Sequence, residues 1–257
     1  MSRKLIAISG PTASGKSGWG IQLAQAVNGV IICADSRTVY RELNIGAGKV
    51  TTEYPTTWRQ SPFGPVATVE GVDHYGLNLL GLDETFTVGQ FQHYVYGLLS
   101  LLWSHGKQPI LVGGTGLYVS AVIEGYTFGG RGHRVRQRPD FFSRVFVVNR
   151  PRQELYQRID QRVDGRVAQG MVEEVRALID QGWTERLKAL GLEYRVLTKY
   201  LLGGESSEAQ EAMVARLKGE IHAYARRQLT WWRHRSDVSW ISSYTELEAK
   251  ARQFLAT

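Results

Sequence analysis

Near the start of the chain, Gly10-Pro11-Thr12-Ala13-Ser14-Gly15-Lys16-Ser17 carries the densest chemical signal. A glycine, four residues and then Gly-Lys-Ser is the spacing of a phosphate-binding loop. Its glycines let backbone amides converge on phosphate oxygens, and the N-terminus of a following helix adds positive potential. Lys16 brings a full charge, and the Ser17 hydroxyl can ligate Mg²⁺. An apolar, strand-like run precedes the loop and a helix-like run, 18–27, follows it, which is the context such a loop needs. The group bound there is at least a diphosphate.

In nucleotide hydrolases built on this loop, the strand ending near Val112 would finish in an aspartate that holds magnesium. Here it runs into Gly113-Gly114-Thr115. That argues against a motor ATPase or a GTPase and leaves small-molecule kinases and other transferases open. A second strand-like run ends in Asp35-Ser36, at the carboxyl edge where α/β proteins place their ligands. Asp35 is the candidate catalytic carboxylate. It can equally cap the turn that follows it, and the two roles are compatible.

These groups need a scaffold, and the hydrophobic pattern supplies one. Short apolar runs suited to buried parallel strands occur at 4–9, 29–33, 109–112 and 144–148, separated by stretches of helical spacing. The alternation predicts an α/β fold, a P-loop NTPase-like parallel sheet flanked by helices, over residues 1–150. From residue 151 to 257 the spacing is helical, with Leu155, Ile159 and Val163 stepping by four and a polar break only at 203–208. There is no internal repeat. Between the third and fourth runs, 128–139 holds three glycines and Arg131, Arg134, Arg136 and Arg138 with almost no apolar periodicity, which predicts a mobile basic loop.

Composition bounds the partners. At 257 residues and 43% hydrophobic content the chain can bury a substantial core. Its formal charge of +7 favours a phosphate-rich partner without choosing among nucleotide, RNA and membrane. Cys33 is the single cysteine, so no internal disulfide forms; it reads as a small core residue in a reducing compartment. The first apolar run is too short for a secretory signal, and nowhere do eighteen apolar residues run together. The expectation is a cytoplasmic, monomeric protein with no membrane partner. Late in the chain, Arg216, Lys218, Arg226, Arg227 and Arg233 accompany Trp231 and Trp232 on one helical stretch. This is either an RNA-contacting surface or a solvated basic face over buried tryptophans. His74 beside Asp73 is either a site residue or half of a structural hydrogen-bonding pair.

Several blocks in order resemble the tRNA dimethylallyltransferases, which prenylate N6 of the adenosine just 3′ of the anticodon. They are GPTASGKS, ADSRTVYRELNIGAGK, DHYGLNLL with DETFTVGQF, LVGGTGLYVSAVIEG, RIDQRVDGRVAQGMVEEVRAL, ALGLEYRVLTKYLLG and YARRQLTWWR. The resemblance implies dimethylallyl diphosphate and tRNA as substrates and Mg²⁺ as the cofactor. It implies that Gly10, Thr12, Ala13, Ser14, Gly15, Lys16 and Ser17 hold the diphosphate, with Ser17 on the metal. Asp35 becomes the general base, Ser36, Arg37 and Thr38 shape the adenosine site, and Thr115 lies near diphosphate and adenine. Arg226, Arg227 and Gln228 then belong to the tRNA side.

The chain departs from that pattern in three places. Eighteen residues, 126–143, stand where the family has a long helical insertion with a basic segment that helps grip the anticodon arm. The remaining arginines are a reduced substitute, a lid over phosphates or a solvated loop. Ile221-His222 stands where the family more often has Thr-Arg, the arginine being a diphosphate ligand; either His222 takes that place with only one or two hydrogen bonds, or a nearby arginine, such as one from the 128–139 loop, compensates. Residues 75–78 also differ. Three other functions compete: prenylation of free adenine nucleotides, small-molecule phosphorylation, and an inactive nucleotide-binding RNA module. Phosphorylation leaves the Asp35-Ser-Arg-Thr block and the Gly-Gly-Thr-Gly-Leu-Tyr turn unexplained, and intact Lys16, Ser17, Asp35 and Thr115 speak against an inactive module.

Overall fold

The apolar run at the N-terminus forms strand β1 (Lys4–Ser9), buried along its whole length in a computed structural model that describes residues 3–128 and 138–257. Leu5 and Ala7 face one side of the sheet while Ile6 and Ile8 face the other, so both faces must be covered by helices. Helix α1 (Lys16–Ala26) covers the second face and leads into β2 (Gly29–Cys33). After a long strap come the hairpin β3 (Thr56–Ser61) and β4 (Gly64–Val69), then β5 (Val72–Tyr75). Helix α2 (Val88–Ser104), started by a Thr87–Gln90 capping box, packs on the first face beside α3 (Gly116–Glu124). Strands β6 (Gln108–Val112) and β7 (Phe142–Val148) complete the core.

The sheet has eight strands in the order β3-β4-β5-β2-β6-β1-β7-β8, where β8 is Val238–Ile241. Every pairing from β5 to β8 is parallel, and β3 and β4 run antiparallel at one edge. Register fixes the site. Ile8 lies opposite Val112, and Val112 opposite Cys33, so β1, β6 and β2 end level and release the Gly10 loop, the Gly113 turn and Asp35 side by side.

The C-terminal half contributes α4 (Arg152–Ala168), α5 (Met171–Asp180), α6 (Thr184–Leu190), α7 (Leu192–Leu202) and α8 (Ser207–Arg233). These bury a separate cluster that includes Leu155, Ile159, Val163, Tyr194 and Leu217, and the strap residues Val39, Leu43 and Ala47 insert into it. The end of the chain is not purely helical, as the spacing had suggested. Val238-Ser239-Trp240-Ile241 pairs with β7, and α9 (Tyr244–Ala256) covers the sheet beside α1. A four-residue strand is shorter than any periodicity can register. Among the described residues no helix is long and apolar enough to cross a membrane.

Most of the expected basic loop, with Arg131, Arg134 and Arg136, lies outside the described residues. Arg138 is described, and it is structural: its Nε donates to the Ile123 carbonyl at 2.7 Å and its guanidinium lies 4.1 Å from the centre of the Phe141 ring. Of the two adjacent tryptophans on α8, Trp231 is exposed, whereas Trp232 is 1% exposed and sits in the core with α2 and α3. Trp232→Ala therefore leaves a large cavity and should lower stability by about 3–5 kcal/mol. The readout is a reduced urea midpoint at unchanged m-value.

Candidate active site

The phosphate loop is held open from behind. Gly15 caps α1 at φ 92°, where an L side chain is strained, and a Cβ there would stand 3.2 Å from Arg150 Nη2. No side chain caps the helix, so its first amides remain available to an anion. Arg150 Nε donates to the Ser14 carbonyl at 2.5 Å and Arg158 Nε to the Ala13 carbonyl at 3.0 Å. From α8, Gln228 Oε1 accepts from the Thr12 amide at 2.8 Å while its Nε2 donates to the Gly114 carbonyl at 2.7 Å. One glutamine thus ties the loop to the β6 turn. Lys16 Nζ donates to the Pro11 carbonyl at 3.1 Å, and burial, reinforced by the charge of Arg162, pulls Lys16 down to about 8.

Asp35 is set by the neighbouring strand ends. The Ala34 amide donates to the Val112 carbonyl at 2.8 Å and the Ser36 amide to Thr115 Oγ1 at 3.3 Å. Asp35 Oδ1 accepts from the Arg37 amide at 2.9 Å, a turn-capping bond. Its Oδ2 has no hydrogen-bond donor among the described residues and is left to act on a ligand. The turn-capping role is therefore met by one oxygen of Asp35 alone.

Beyond Asp35 the strap is pinned from both sides. Buried Lys49 points Nζ at the carbonyls of Tyr40 (2.6 Å) and Arg41 (3.2 Å) and at Asn44 Oδ1 (3.1 Å) and Asn78 Oδ1 (2.5 Å). From α5, the Glu174 carboxylate accepts from the amides of Asn44, Ile45 and Gly46, at 2.7 Å for Ile45, and from the Tyr194 hydroxyl. Arg37 forms an ion pair with Glu193 of α7, and its guanidinium lies 6.0 Å from the centre of the Tyr224 ring. Burial opposes the Arg37 charge, but Glu193 and then Asp35 more than offset this and hold its pKa above the usual arginine value.

These parts enclose one cavity of about 750 Å³, counting its open mouth. Thr12, Lys16 and Ser17 line one portion, and Asp35, Arg37, Thr38 and Tyr224 another. Ile31, Cys33, Val50, Leu77 and Val112 give an apolar wall, and Arg162, Arg166 and Glu193 complete the lining. A second cavity meets the first at Lys16, Ser17 and Arg162. Cys33, expected in the core, is on the cavity wall, where burial and then Asp35 push its thiol up to about 12. His74 also lines the cavity, but not as a partner of Asp73, because adjacent strand residues face opposite sides. Its Nδ1 lies 2.9 Å from the Val72 carbonyl, whereas Asp73 pairs with Arg59 and Thr68.

A family model described as IPP transferase matches residues 38–141 and 130–235. The chain belongs to this family. It is 32% identical to tRNA dimethylallyltransferase 2 of Shewanella sediminis, covering 98% of this chain and 97% of that protein. With the tRNA dimethylallyltransferase of Streptococcus gordonii the identity is 31% over 93% of this chain and 92% of that one. Among solved structures, the tRNA isopentenylpyrophosphate transferase of Bacillus halodurans superposes with a TM-score of 0.83 at 27% identity, covering 99% of this chain and 96% of that one. The Shewanella alignment runs over 311 positions although this chain has 257 residues, so that relative carries segments absent here.

Within this IPP transferase the cavity gathers Thr12, Lys16, Ser17, Asp35, Arg37, Thr38 and Gln228 from the expected set. Ala13 and Gly15 line the second cavity, while Gly10 and buried Ser14 shape the loop from within. Ser36 and Thr115 stand outside the lining, bonded to each other. Arg226, donating to the Tyr156 hydroxyl at 2.8 Å, and Arg227, over the Tyr224 ring, are exposed on α8. Arg216 and Lys218 are occupied by Glu220 and Asp164. Reading the sequence did not assign Lys49, Arg162, Arg166, Glu174 or Glu193. The usable signal was the step of four from Arg158 through Arg162 to Arg166, which puts three arginines on one helix face.

The Lys49 cage generates a stability test. Lys49→Met keeps the volume but strands the four oxygens, and should cost about 2–4 kcal/mol in chemical denaturation, far beyond an exposed lysine such as Lys250.

Proposed function

We propose that the protein transfers a dimethylallyl group from dimethylallyl diphosphate to tRNA, at N6 of the adenosine 3′ of the anticodon. One observation carries this reading: the phosphate loop and Asp35 open into the same cavity, which also has an apolar wall. An apolar wall between the phosphate loop and the carboxylate suits the hydrocarbon end of an allylic diphosphate. The names borne by the relatives support tRNA as the acceptor.

In the reaction, the bond between C1 of the allyl group and the bridging oxygen breaks, and its electron pair leaves with the diphosphate. Loop amides and Lys16 stabilise that growing charge in a site shielded from bulk water. N6 of adenine forms the new bond to C1. An exocyclic amine is a poor nucleophile until its proton is being removed, and that proton passes to the Asp35 carboxylate. Among the described residues no cluster of three or more acidic, histidine or cysteine side chains could hold a metal. Magnesium fits nonetheless, because it commonly takes one or two protein oxygens and completes its shell with phosphates and water. Ser17 would supply the protein oxygen, and the ion would add positive charge beside the leaving group.

The target base must leave the RNA stack to enter such a cavity. Arg226, Arg227 and Arg233, exposed on α8 and without a carboxylate partner among the described residues, offer phosphate contacts, and exposed Trp231 adds a flat surface.

Purified protein incubated with labelled dimethylallyl diphosphate and Mg²⁺ should label unmodified tRNA when tRNA, AMP and ATP are offered in parallel. Label in AMP but not tRNA moves the acceptor to free nucleotides, and label in none overturns prenyl transfer. Asp35→Ala should slow transfer by about 10²–10⁴-fold while inorganic pyrophosphate still binds.

A further inference from the structure

Arg166 stands on the last turn of α4, one helical step beyond Arg162, and is only 9% exposed. Its guanidinium carries five N–H donors, yet it makes no hydrogen bond among the described residues. The nearest carboxylate oxygen, Glu193 Oε1, is 3.8 Å away, and the other oxygen of Glu193 is taken by Arg37. One carboxylate therefore serves two arginines. Arg162, beside it, reaches Glu53 Oε1 at 2.5 Å. Both arginines line the same cavity as Lys16 and Ser17. Gly48 roofs the group, and a Cβ there would collide with the Arg166 guanidinium. Burial, and then the like charge of Arg162, draw Arg166 down to about 10.

His222 does not supply that region. Its ring stacks on Tyr156 with centroids 4.0 Å apart, its Nε2 lies 2.9 Å from Asp160 Oδ1, and it is not part of the cavity lining. We infer that Arg166, together with Arg162, ligates the allylic diphosphate, so that α4 provides the cationic charge that the resemblance places at position 222 of α8. The inference rests on the prenyl-transfer reading. A phosphodiester of folded RNA cannot reach a group this deep, whereas a free diphosphate can, and a planar fork of donors matches its oxygens two at a time.

The test compares wild type with Arg166→Met, Arg166→Lys and His222→Ala. Calorimetry measures inorganic pyrophosphate with Mg²⁺, and kinetics separates KM for dimethylallyl diphosphate from KM for tRNA. Arg166→Met should weaken pyrophosphate and raise KM for the allylic substrate by about 10–100-fold, the scale of a lost charge-assisted contact, with KM for tRNA within about twofold. Arg166→Lys, which keeps charge but not the fork, should fall between, and His222→Ala should change pyrophosphate affinity by less than about twofold. Unchanged pyrophosphate affinity in Arg166→Met, or an equal loss in His222→Ala, overturns the inference. So does full recovery of affinity in Arg166→Met/Glu193→Gln, since an arginine that only neutralised Glu193 would then be dispensable. If Arg166→Met does not fold, Arg166→Lys and that double variant decide. Wild type that binds pyrophosphate but prenylates no acceptor overturns the functional reading instead.

Discussion

The Lys49 ammonium, enclosed by two carbonyls and two asparagine oxygens, is the interaction on which the placement of the chemistry depends. Past Ala34 the strand ladder ends, and the strap's backbone is tied to the chain beyond β5 by little more than a parallel bridge between Tyr40 and Leu80, so Asp35 depends on side-chain pins as well. Four oxygens around one buried ammonium fold the strap back on itself, because each charge-assisted bond is stronger than a neutral one and together they offset the cost of burying the charge. Glu174 then fixes the opposite edge by accepting three consecutive amides. With the strap rigid, Val39, Leu43 and Ala47 can enter the helical core, and the two halves of the chain become one surface around the cavity.

Helix α8 performs the complementary join. Successive residues on a helix turn by about 100°, so neighbours can serve different masters. Arg226 and Arg227 point outward, while Gln228 turns inward to hold Thr12 and Gly114. Tyr224, one turn earlier, reaches the cavity beside Arg37. A ligand that presses on the outer face of α8 therefore acts on the same rigid rod that positions the phosphate loop. The proposed acceptor contacts and the proposed diphosphate contacts thus share one continuous helix, which would suit a reaction that must bring two substrates within bonding distance.

How much was legible in the sequence follows from the physics of each element. Strands β1, β2, β6 and β7 are central and parallel, so both faces are apolar and their runs stand out. The hairpin β3–β4 lies at an exposed edge, where Thr57, Trp58, Arg59 and Gln60 show no buried face, and such a strand has no hydrophobic signature. The phosphate loop was readable because backbone geometry forces its glycines. Arg162, Arg166, Glu174 and Glu193 were not, because a charged residue on an amphipathic helix reads by default as solvent-facing. Only the fold reveals that Arg37 and Arg166 both point at Glu193 of α7, and that Glu174 of α5 points at the amides of the strap. Nor could the sequence show that the Thr115 hydroxyl accepts from the Ser36 amide.

The composition of the cavity also bears on which nucleophile an allylic electrophile would meet. Cys33 is on its wall, and a thiolate there would compete with an adenine amine for the allylic carbon. Burial, and then the adjacent Asp35, push the thiol up to about 12, which keeps it in the thiol form at neutral pH. The carboxylate that would deprotonate the amine thus also suppresses its rival. Burial contributes most to holding the thiol protonated, and the negative charge of Asp35 adds to it.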